Sequence, residues 1–183
     1  MPKEKIKFLK IREVKSPTRA YEFDAGIDFY IPEFNESFLD DLRNKNSNLK
    51  FFADEEGRYV WLQGQSRIMI PSGIKSRMTE PGRALIAANK SGIATKHGLV
   101  FGAQVVDYTY TGEIHLSLIN TGRHDVKIRE GMKILQFLEM PVFNSEVEVV
   151  EYATEDKEEV EEKFYEGLQD DRGAGAFGST DKK

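Results

Sequence analysis

Short apolar or alternating stretches recur along most of this chain, and they restrict its fold more than any other feature. Turn-forming Gly, Pro, Asn and Asp residues separate them, as at Pro81-Gly82 and Thr121-Gly122. The stretches are Ile6–Ile11, Ile27–Ile31, Arg67–Ile70, Arg83–Ala88, Leu99–Val106, Glu113–Asn120, Val126–Ile128, Ile134–Leu138 and Glu146–Glu151. Many short strands at this spacing predict an all-β sandwich, jelly roll or barrel, and no βαβ rhythm appears.

Length and composition further restrict the kind of protein that this chain can be. With 183 residues, 39% of them hydrophobic, the chain is long enough for one domain with a real core. No apolar run approaches the ~20 residues of a membrane span, and the start of the chain does not resemble a signal peptide. Cysteine is absent, which excludes disulfides, Cys-ligated zinc and a Cys nucleophile. We therefore expect a cytoplasmic protein without a membrane partner.

Charge is unevenly distributed. The chain has 26 Lys and Arg against 31 Asp and Glu, a formal net charge of −5, with the acidic excess concentrated in residues 144–171. A solvated acidic tail on an ordinary body is the interpretation we favour. A polyanion-binding body is compatible with this pattern but not shown by it, and no nucleic acid is required as a partner.

Residues 33–64 interrupt the strand pattern and look like an insertion. Phe38–Leu42 predicts one or two helical turns, and Phe51–Ala53 with Tyr59–Leu62 predicts a hairpin around the four-residue loop Asp54–Gly57. Surface decoration is the interpretation we favour for the insertion. Lining of the site or binding of an unknown partner are the alternatives.

A second interruption follows the strands. Between Thr154 and Leu168, apolar residues repeat every four positions, which predicts a short amphipathic helix with Thr154 as its N-cap. We therefore divide the chain into a β domain (1–154), an acidic helical spacer (155–171) and a glycine-rich C-terminal arm (172–183).

The arm contains the pattern G-x-G-x-x-G, but only five residues follow Gly178, so no dinucleotide-binding helix can form behind it. Its backbone amides and Arg172 suit phosphate groups, and Phe177 could cover a base. A disordered terminus is the alternative.

Several polar residues stand where they could carry chemistry. Asp107 follows a run of β-formers and precedes a turn, so it could deprotonate a water, or simply accept backbone hydrogen bonds within the turn. Lys90-Ser91-Gly92 could contact phosphate, or simply form a loop. Asp28 and Gln136 interrupt apolar strands, where phosphates with magnesium, or neighbouring backbone, could satisfy them. No metal-ligand spacing involves His97, His115 or His124.

Taken in order, five segments resemble the motifs of the homotrimeric dUTPase family. They are Ala25–Asp28; Lys90–Ala94 with Lys96-His97; Val106-Asp107 with Tyr110 and Gly112; Gly131 with Ile134 and Gln136; and Arg172-Gly173 with Gly175 and Phe177–Thr180. The resemblance implies a β jelly roll of the β-clip type, trimeric, with three shared active sites. It also implies hydrolysis of dUTP to dUMP and diphosphate with Mg²⁺, which keeps uracil out of DNA and supplies dUMP for dTMP synthesis.

The resemblance also implies roles for individual residues. Asp107 would activate the water that attacks the α-phosphorus, and Tyr110 would pack on the deoxyribose. Backbone groups near Ala103, Gln104 and His115 would read uracil. The residues implied at the phosphates are Lys90, Ser91, Gly92 and Gln136, with Arg172, Gly178, Ser179 and Thr180 of the arm. The arm would close over a neighbouring subunit's site with Phe177 stacking on uracil, and Asp28 would contact a magnesium-bound water.

Some positions depart from the family pattern. Lys90 stands where the family usually has Arg, and a lysine lacks the bidentate phosphate geometry of an arginine. Thr109, Gln104 and Ala176 also differ from the residues usual in the family. Two other functions stay open: a related dCTP deaminase, or a catalytically silent nucleotide-binding regulator that uses residues 33–64 against a partner.

Overall fold

The computed structural model describes residues 5–47, 49–151 and 157–167, and the chain divides into two compact units, Met1–Asn144 and Ser145–Lys183. The strands are β1 (Ile6–Lys10), β2 (Gly26–Tyr30), β3 (Phe51–Asp54), β4 (Gly57–Leu62), β5 (Arg67–Pro71), β6 (Ile74–Met78), β7 (Arg83–Asn89), β8 (Leu99–Phe101), β9 (Val105–Val106), β10 (His115–Asn120), β11 (Val126–Arg129) and β12 (Lys133–Pro141). The helices are α1 (Glu36–Lys45), α2 (Ser91–His97) and α3 (Lys157–Phe164).

The strands pair antiparallel in four small sheets. Their orders are β2-β12-β7-β9, β5-β10-β8, β11-β4-β3 and β1-β6. This arrangement confirms the all-β class predicted from the sequence. It also brings β2, β7 and β12 side by side, although long stretches of chain separate them.

The first unit is built on side chains that alternate between core and surface. On β10, Leu116 and Leu118 are fully buried, as the alternation of residues 113–120 predicts. Between β2 and β12, the rings of Phe29 and Phe137 meet with centroids 4.6 Å apart. Burying such side chains stabilises the fold by roughly 1.5–3 kcal/mol each, so these strands form a firm base for the polar residues at their ends.

Helix α1 is longer than predicted and belongs to the core. Asn35 caps it by accepting a hydrogen bond from the Phe38 amide at 3.0 Å. The side chains of Phe38, Leu39 and Leu42 are buried in the same cluster as the strands. The interpretation of this part of the insertion as surface decoration is therefore wrong.

The hairpin of the insertion is tighter than expected. Asp54 pairs with Gly57, so the loop has two residues, Glu55 and Glu56, and not four. Gly57 has a φ of +109°, which glycine adopts without strain. Because β4 also pairs with β11, the hairpin is an integral part of a sheet.

Other boundaries differ from the sequence prediction. The run Leu99–Val106 splits into β8 and β9, and β6 and α2 were not predicted. Residues 146–151 form no strand with any described residue, and the side chains of Val147 and Val149 are 87% and 76% exposed. A strand forms only where its backbone groups find a ladder partner, which alternation alone does not supply.

In the second unit, α3 confirms a short helix within the spacer. The proposed cap Thr154 and the last apolar position, Leu168, lie outside the described residues. Lys163 pairs with Glu159 one turn earlier at 2.5 Å. Within residues 5–47, 49–151 and 157–167, no helix combines the length and apolar content of a membrane span.

Candidate active site

A cationic cavity of about 440 Å³ opens where β7 ends beside β12. The register places Gln136 opposite Ala88, next to the turn that leads into α2. The cavity is lined by Lys90, Ser91, Gly92, Ile93, Lys96, His97, Lys133 and Gln136. All four phosphate-binding residues predicted outside the arm therefore meet in one place, together with two further lysines.

Asp28 does not line this cavity but contacts two lysines that do, and it is only 4% exposed. Its carboxylate pairs with the Lys90 ammonium through one oxygen and with the Lys133 ammonium, at 3.3 Å, through the other. The partners of this buried group are thus two lysine side chains of the same chain. A buried carboxylate without such partners would strongly destabilise the fold. The two ion pairs therefore stabilise Asp28, and they also keep the ammonium groups of Lys90 and Lys133 beside the cavity.

Lys133 was missed by the sequence analysis. It belongs to the stretch Gly131–Gln136, whose resemblance to the family had drawn attention only to the neighbouring positions. Its proximity to Asp28 follows from the pairing of Lys133 with Tyr30 across β2 and β12. In the sequence, the only sign of its role was a positive charge three residues before Gln136, and a charge alone does not show which carboxylate it pairs with.

Gln136 is held in place by its neighbours. Its side-chain amide donates to the Asn89 carbonyl at 2.8 Å. A Cβ at Gly26 would lie 2.1 Å from the Gln136 Oε1, so a larger residue at position 26 would displace the Gln136 side-chain amide from this position. Gly26 and Gln136, in separate matching segments, thus depend on one another.

The first turn of α2 forms one wall of the cavity. A Cβ added at Gly92 would meet no heavy atom within 4 Å, so packing within the described chain does not require glycine there. The open space suits close approach of a ligand to the backbone. Helix α2 has no buried residue, so its sequence lacks the apolar period that would have predicted it.

A second group of predicted residues lies on the segment that runs from Ala103 through β9 to His115 at the start of β10. The Gly102 amide donates to the Ser117 carbonyl at 2.9 Å, and the Ala87 amide donates to the Gln104 carbonyl at 2.7 Å. Asp107 follows β9 directly and is exposed at the start of the turn, as predicted. Five predicted residues therefore belong to this one segment: Ala103, Gln104, Asp107, Tyr110 and His115.

Tyr110 is folded over its own turn. Its hydroxyl donates to the Glu113 carbonyl at 2.9 Å, and its amide donates to the Asp107 carbonyl at 3.1 Å. A Cβ at Gly112 would lie 2.4 Å from the Tyr110 hydroxyl oxygen. The tyrosine orientation therefore requires Gly112, while the ring stays 42% exposed and available for contact.

His115 is half-buried at the start of β10. Its Nε2 is buried without a hydrogen-bond partner among the described residues. Burial lowers the pKa of the His115 imidazole, and the positive charge of Lys45 lowers it further. Both effects favour the neutral form of the imidazole.

Asp107 and the cavity lie towards opposite ends of β7 within one copy of the chain. Val106 pairs with Leu85, so the register continues to Asp107 opposite Ala84, near the start of β7, whereas Lys90 follows the end of the strand. Five residues of strand correspond to about 16 Å. A single copy therefore does not place Asp107 at the cavity.

Predicted residues of the arm lie outside the described residues; they are Arg172, Phe177, Gly178, Ser179 and Thr180. Among residues 5–47, 49–151 and 157–167, no three His, Asp or Glu side chains stand close enough to form a metal site. Asp28 is a single carboxylate beside a cavity lined by lysines. That donor set fits a Mg²⁺ ion carried by substrate phosphates, because Mg²⁺ usually combines one or two carboxylates with phosphate oxygens and water.

Comparison with known proteins decides the family. The dUTPase family model matches residues 57–166. The chain belongs to the dUTPase family. A deoxyuridine 5'-triphosphate nucleotidohydrolase of Candida glabrata is 40% identical over 115 residues, which cover 62% of this chain and 69% of that protein. The protein of the same name from Pseudomonas paraeruginosa is 33% identical over 157 residues, with 85% and 89% covered.

Solved dUTPase structures share the fold. A point mutant of the dUTPase from phage phi11 of S. aureus, described for its coordination of a structural Mg(II) ion, aligns with a TM-score of 0.61. The sequence identity is 18%, and the alignment covers 81% of this chain and 97% of that one. This likeness confirms the predicted dUTPase-like jelly roll. Homotrimers are typical of the dUTPase family.

Proposed function

We propose that this chain hydrolyses dUTP to dUMP and diphosphate. The observation that carries the proposal is the cavity in which Lys90, Ser91, Gly92 and Gln136 meet, in a chain of the dUTPase family. A triphosphate is the part of dUTP that such a cationic cavity would bind.

In this proposal the cavity holds the phosphate chain. Lys90 and Lys133 offset its negative charge as point charges, and the Ser91 hydroxyl and the first amides of α2 donate hydrogen bonds. Because Asp28 already holds both ammonium groups in place, the two lysine side chains lose little conformational entropy when the ligand binds.

The proposed reaction is attack by water on the α-phosphorus. Asp107 accepts a proton from the water as its oxygen bonds to phosphorus, and the bond from the α-phosphorus to the bridging oxygen breaks to release diphosphate. Tyr110 packs on the deoxyribose and leaves no room for a 2′-hydroxyl. Backbone groups near Gln104 and His115 read uracil by leaving other bases with unpaired polar atoms.

Magnesium belongs to the proposal as a companion of the triphosphate. When bound, it would neutralise charge on the phosphate oxygens. Asp28 would contact it through a bound water, because a carboxylate has acceptor sites beyond the two used by Lys90 and Lys133.

A shared site follows from the separation of Asp107 and the cavity. We propose that Asp107 of one copy serves the cavity of another in a homotrimer, and that Phe177 and Arg172 of an arm complete the site. A partner for residues 33–64 and the cytoplasmic location stay predictions.

Diphosphate release from dUTP, dCTP, dTTP and UTP with Mg²⁺ tests the activity. We expect release from dUTP far above the others. Ammonia from dCTP would instead indicate the deaminase, and dUTP binding without diphosphate release would indicate the silent regulator.

Asp107→Asn tests the mechanism. Loss of the general base should lower kcat at least about 100-fold, while binding of a non-hydrolysable dUTP analogue persists. Asp125→Asn is a matched control, because Asp125 accepts a hydrogen bond from the Gly64 amide at 3.0 Å and represents a structural carboxylate. Equal activity of the two variants would contradict the role of Asp107.

A further inference from the structure

We propose that α1 positions the turn Asp107–Glu113 through a chain of charged side chains, with Asp41 and Arg12 as positioning residues. The inference deepens the proposed function and rests on it. It gives α1 a role in the reaction, although no residue of α1 belongs to the five segments that resemble the family motifs.

The chain of contacts begins at Arg12. Its guanidinium donates to both carboxylate oxygens of Glu113, from Nε at 3.0 Å and from Nη2 at 3.2 Å. The same Nη2 donates to Asp41 on α1 at 2.5 Å. A guanidinium is the side chain suited to bridge two carboxylates in fixed orientation, because its planar fork presents several donors at once.

Glu113 connects this network to the turn. Its side chain is 13% exposed, and its carboxylate also accepts a hydrogen bond from the Gly73 amide at 2.7 Å. Its main-chain carbonyl accepts the Tyr110 hydroxyl, and the Tyr110 amide in turn donates to the carbonyl of Asp107. The orientation of Glu113 thus bears on both residues proposed to act at the sugar and the water.

Helix α1 is anchored independently of Asp41. Phe38 and Leu42 are buried in the core. After the helix, the Asn46 side chain pairs with Met69 of β5 in both directions, donating to its carbonyl at 2.9 Å and accepting from its amide at 2.8 Å. Removing the Asp41 charge should therefore loosen Arg12 without undocking the helix.

The network acts on catalysis and not on phosphate binding. It reaches the turn at Asp107, whereas the cavity lies beyond the other end of β7. Changes in Asp41 should thus lower kcat and the preference for dUTP over UTP, which depends on the placement of Tyr110, while KM for dUTP changes little.

Asp41→Asn tests this inference, with Asp40→Asn as the matched control. Asp40 is the adjacent residue of α1, and the ion pair it makes with a described residue is a local one, to Arg43 at 2.6 Å. We expect Asp41→Asn to lower kcat about 3- to 10-fold and to reduce discrimination against UTP. Asp40→Asn should leave both unchanged, while the two variants have the same melting temperature within error.

Arg12→Lys is the second variant. It retains the charge but not the fork, so it should lower kcat at least as much as Asp41→Asn. Wild-type protein inactive on dUTP would overturn the proposed function itself. If the wild type is active but Asp41→Asn and Asp40→Asn have equal kcat and equal discrimination against UTP, only this inference is overturned. The Asp41→Asn result is decisive even if the Arg12→Lys protein fails to fold.

Discussion

At the scale of single residues, a substitution at Gly92 should affect stability and ligand binding in opposite directions. It lies in the first turn of α2 with open space around the position of a Cβ. Gly92→Ala should stabilise the helix by up to about 1 kcal/mol, which raises the melting temperature by about 2–4 °C in a domain of this size. The added methyl group should hinder the phosphate chain and raise KM for dUTP roughly tenfold.

Thr95→Ala is the control for Gly92→Ala. Thr95 is exposed on the same helix and does not line the cavity, so its replacement should raise stability without changing KM. Unchanged KM in Gly92→Ala, measured by initial rates, would show that no ligand approaches this backbone.

His115 makes stability depend on pH. Burial lowers its pKa below the ordinary 6.5, so the unfolded chain binds a proton more readily than the folded one. Stability should therefore be fully present above about pH 6.5 and decrease as pH falls through that value towards the lower folded pKa. Melting temperatures between pH 8 and pH 5 should decrease less in His115→Gln than in wild type.

His124→Gln serves as the control for this pH series, since it removes an imidazole at an exposed position. If His115→Gln and His124→Gln follow the same curve, burial of His115 does not contribute to the pH dependence.

At the scale of elements, the sequence predicted where strands and helices lie better than how far they extend. Apolar spacing at Phe38, Leu39 and Leu42 indicated a helical segment, but not that this face would complete the common core. The alternation in Glu146–Glu151 indicated a strand, but no described strand pairs with it. Periodicity reports which face of a segment is apolar and does not report which other segment will cover it.

The acidic spacer gives an element-scale prediction. If residues 155–168 allow the arm to reach a neighbouring site, deleting them should lower kcat about tenfold or more. A shortened tether cannot span the two sites, so the effective concentration of the arm at the neighbouring site falls. The trimer mass measured by light scattering should stay unchanged. Unchanged kinetics would contradict the spacer role.

A Gly-Ser segment of the same length provides the control for that deletion. It restores reach without helix or charge, so recovery of kcat would assign the effect to length alone. Failure to recover would assign a role to the helix or its acidic side chains.

At the scale of the whole molecule, the proposed site should be shared between copies. Asp107→Asn and Lys90→Ala should each be inactive, but mixing them during refolding should restore activity. In a random one-to-one mixture, each site has an intact Asp107 and an intact cavity in about one quarter of cases. Diphosphate release from dUTP measures this recovery.

Mixing each variant with itself, under the same refolding conditions, is the control. Activity of the mixed sample that does not exceed these two would mean that Asp107 and Lys90 do not act across a subunit boundary. Light scattering on the same samples shows whether trimers have formed.

The sequence by itself determined the all-β class, the family and the position of Asp107 at the end of a strand, because alternation, turn residues and ordered motifs are local properties of the chain. Only the tertiary structure decided that Lys133 shares Asp28 with Lys90, that α1 reaches Glu113 through Arg12, and that Asp107 and the cavity lie at opposite ends of β7. These facts depend on strand register and on burial between residues far apart in sequence, and local patterns do not encode either one.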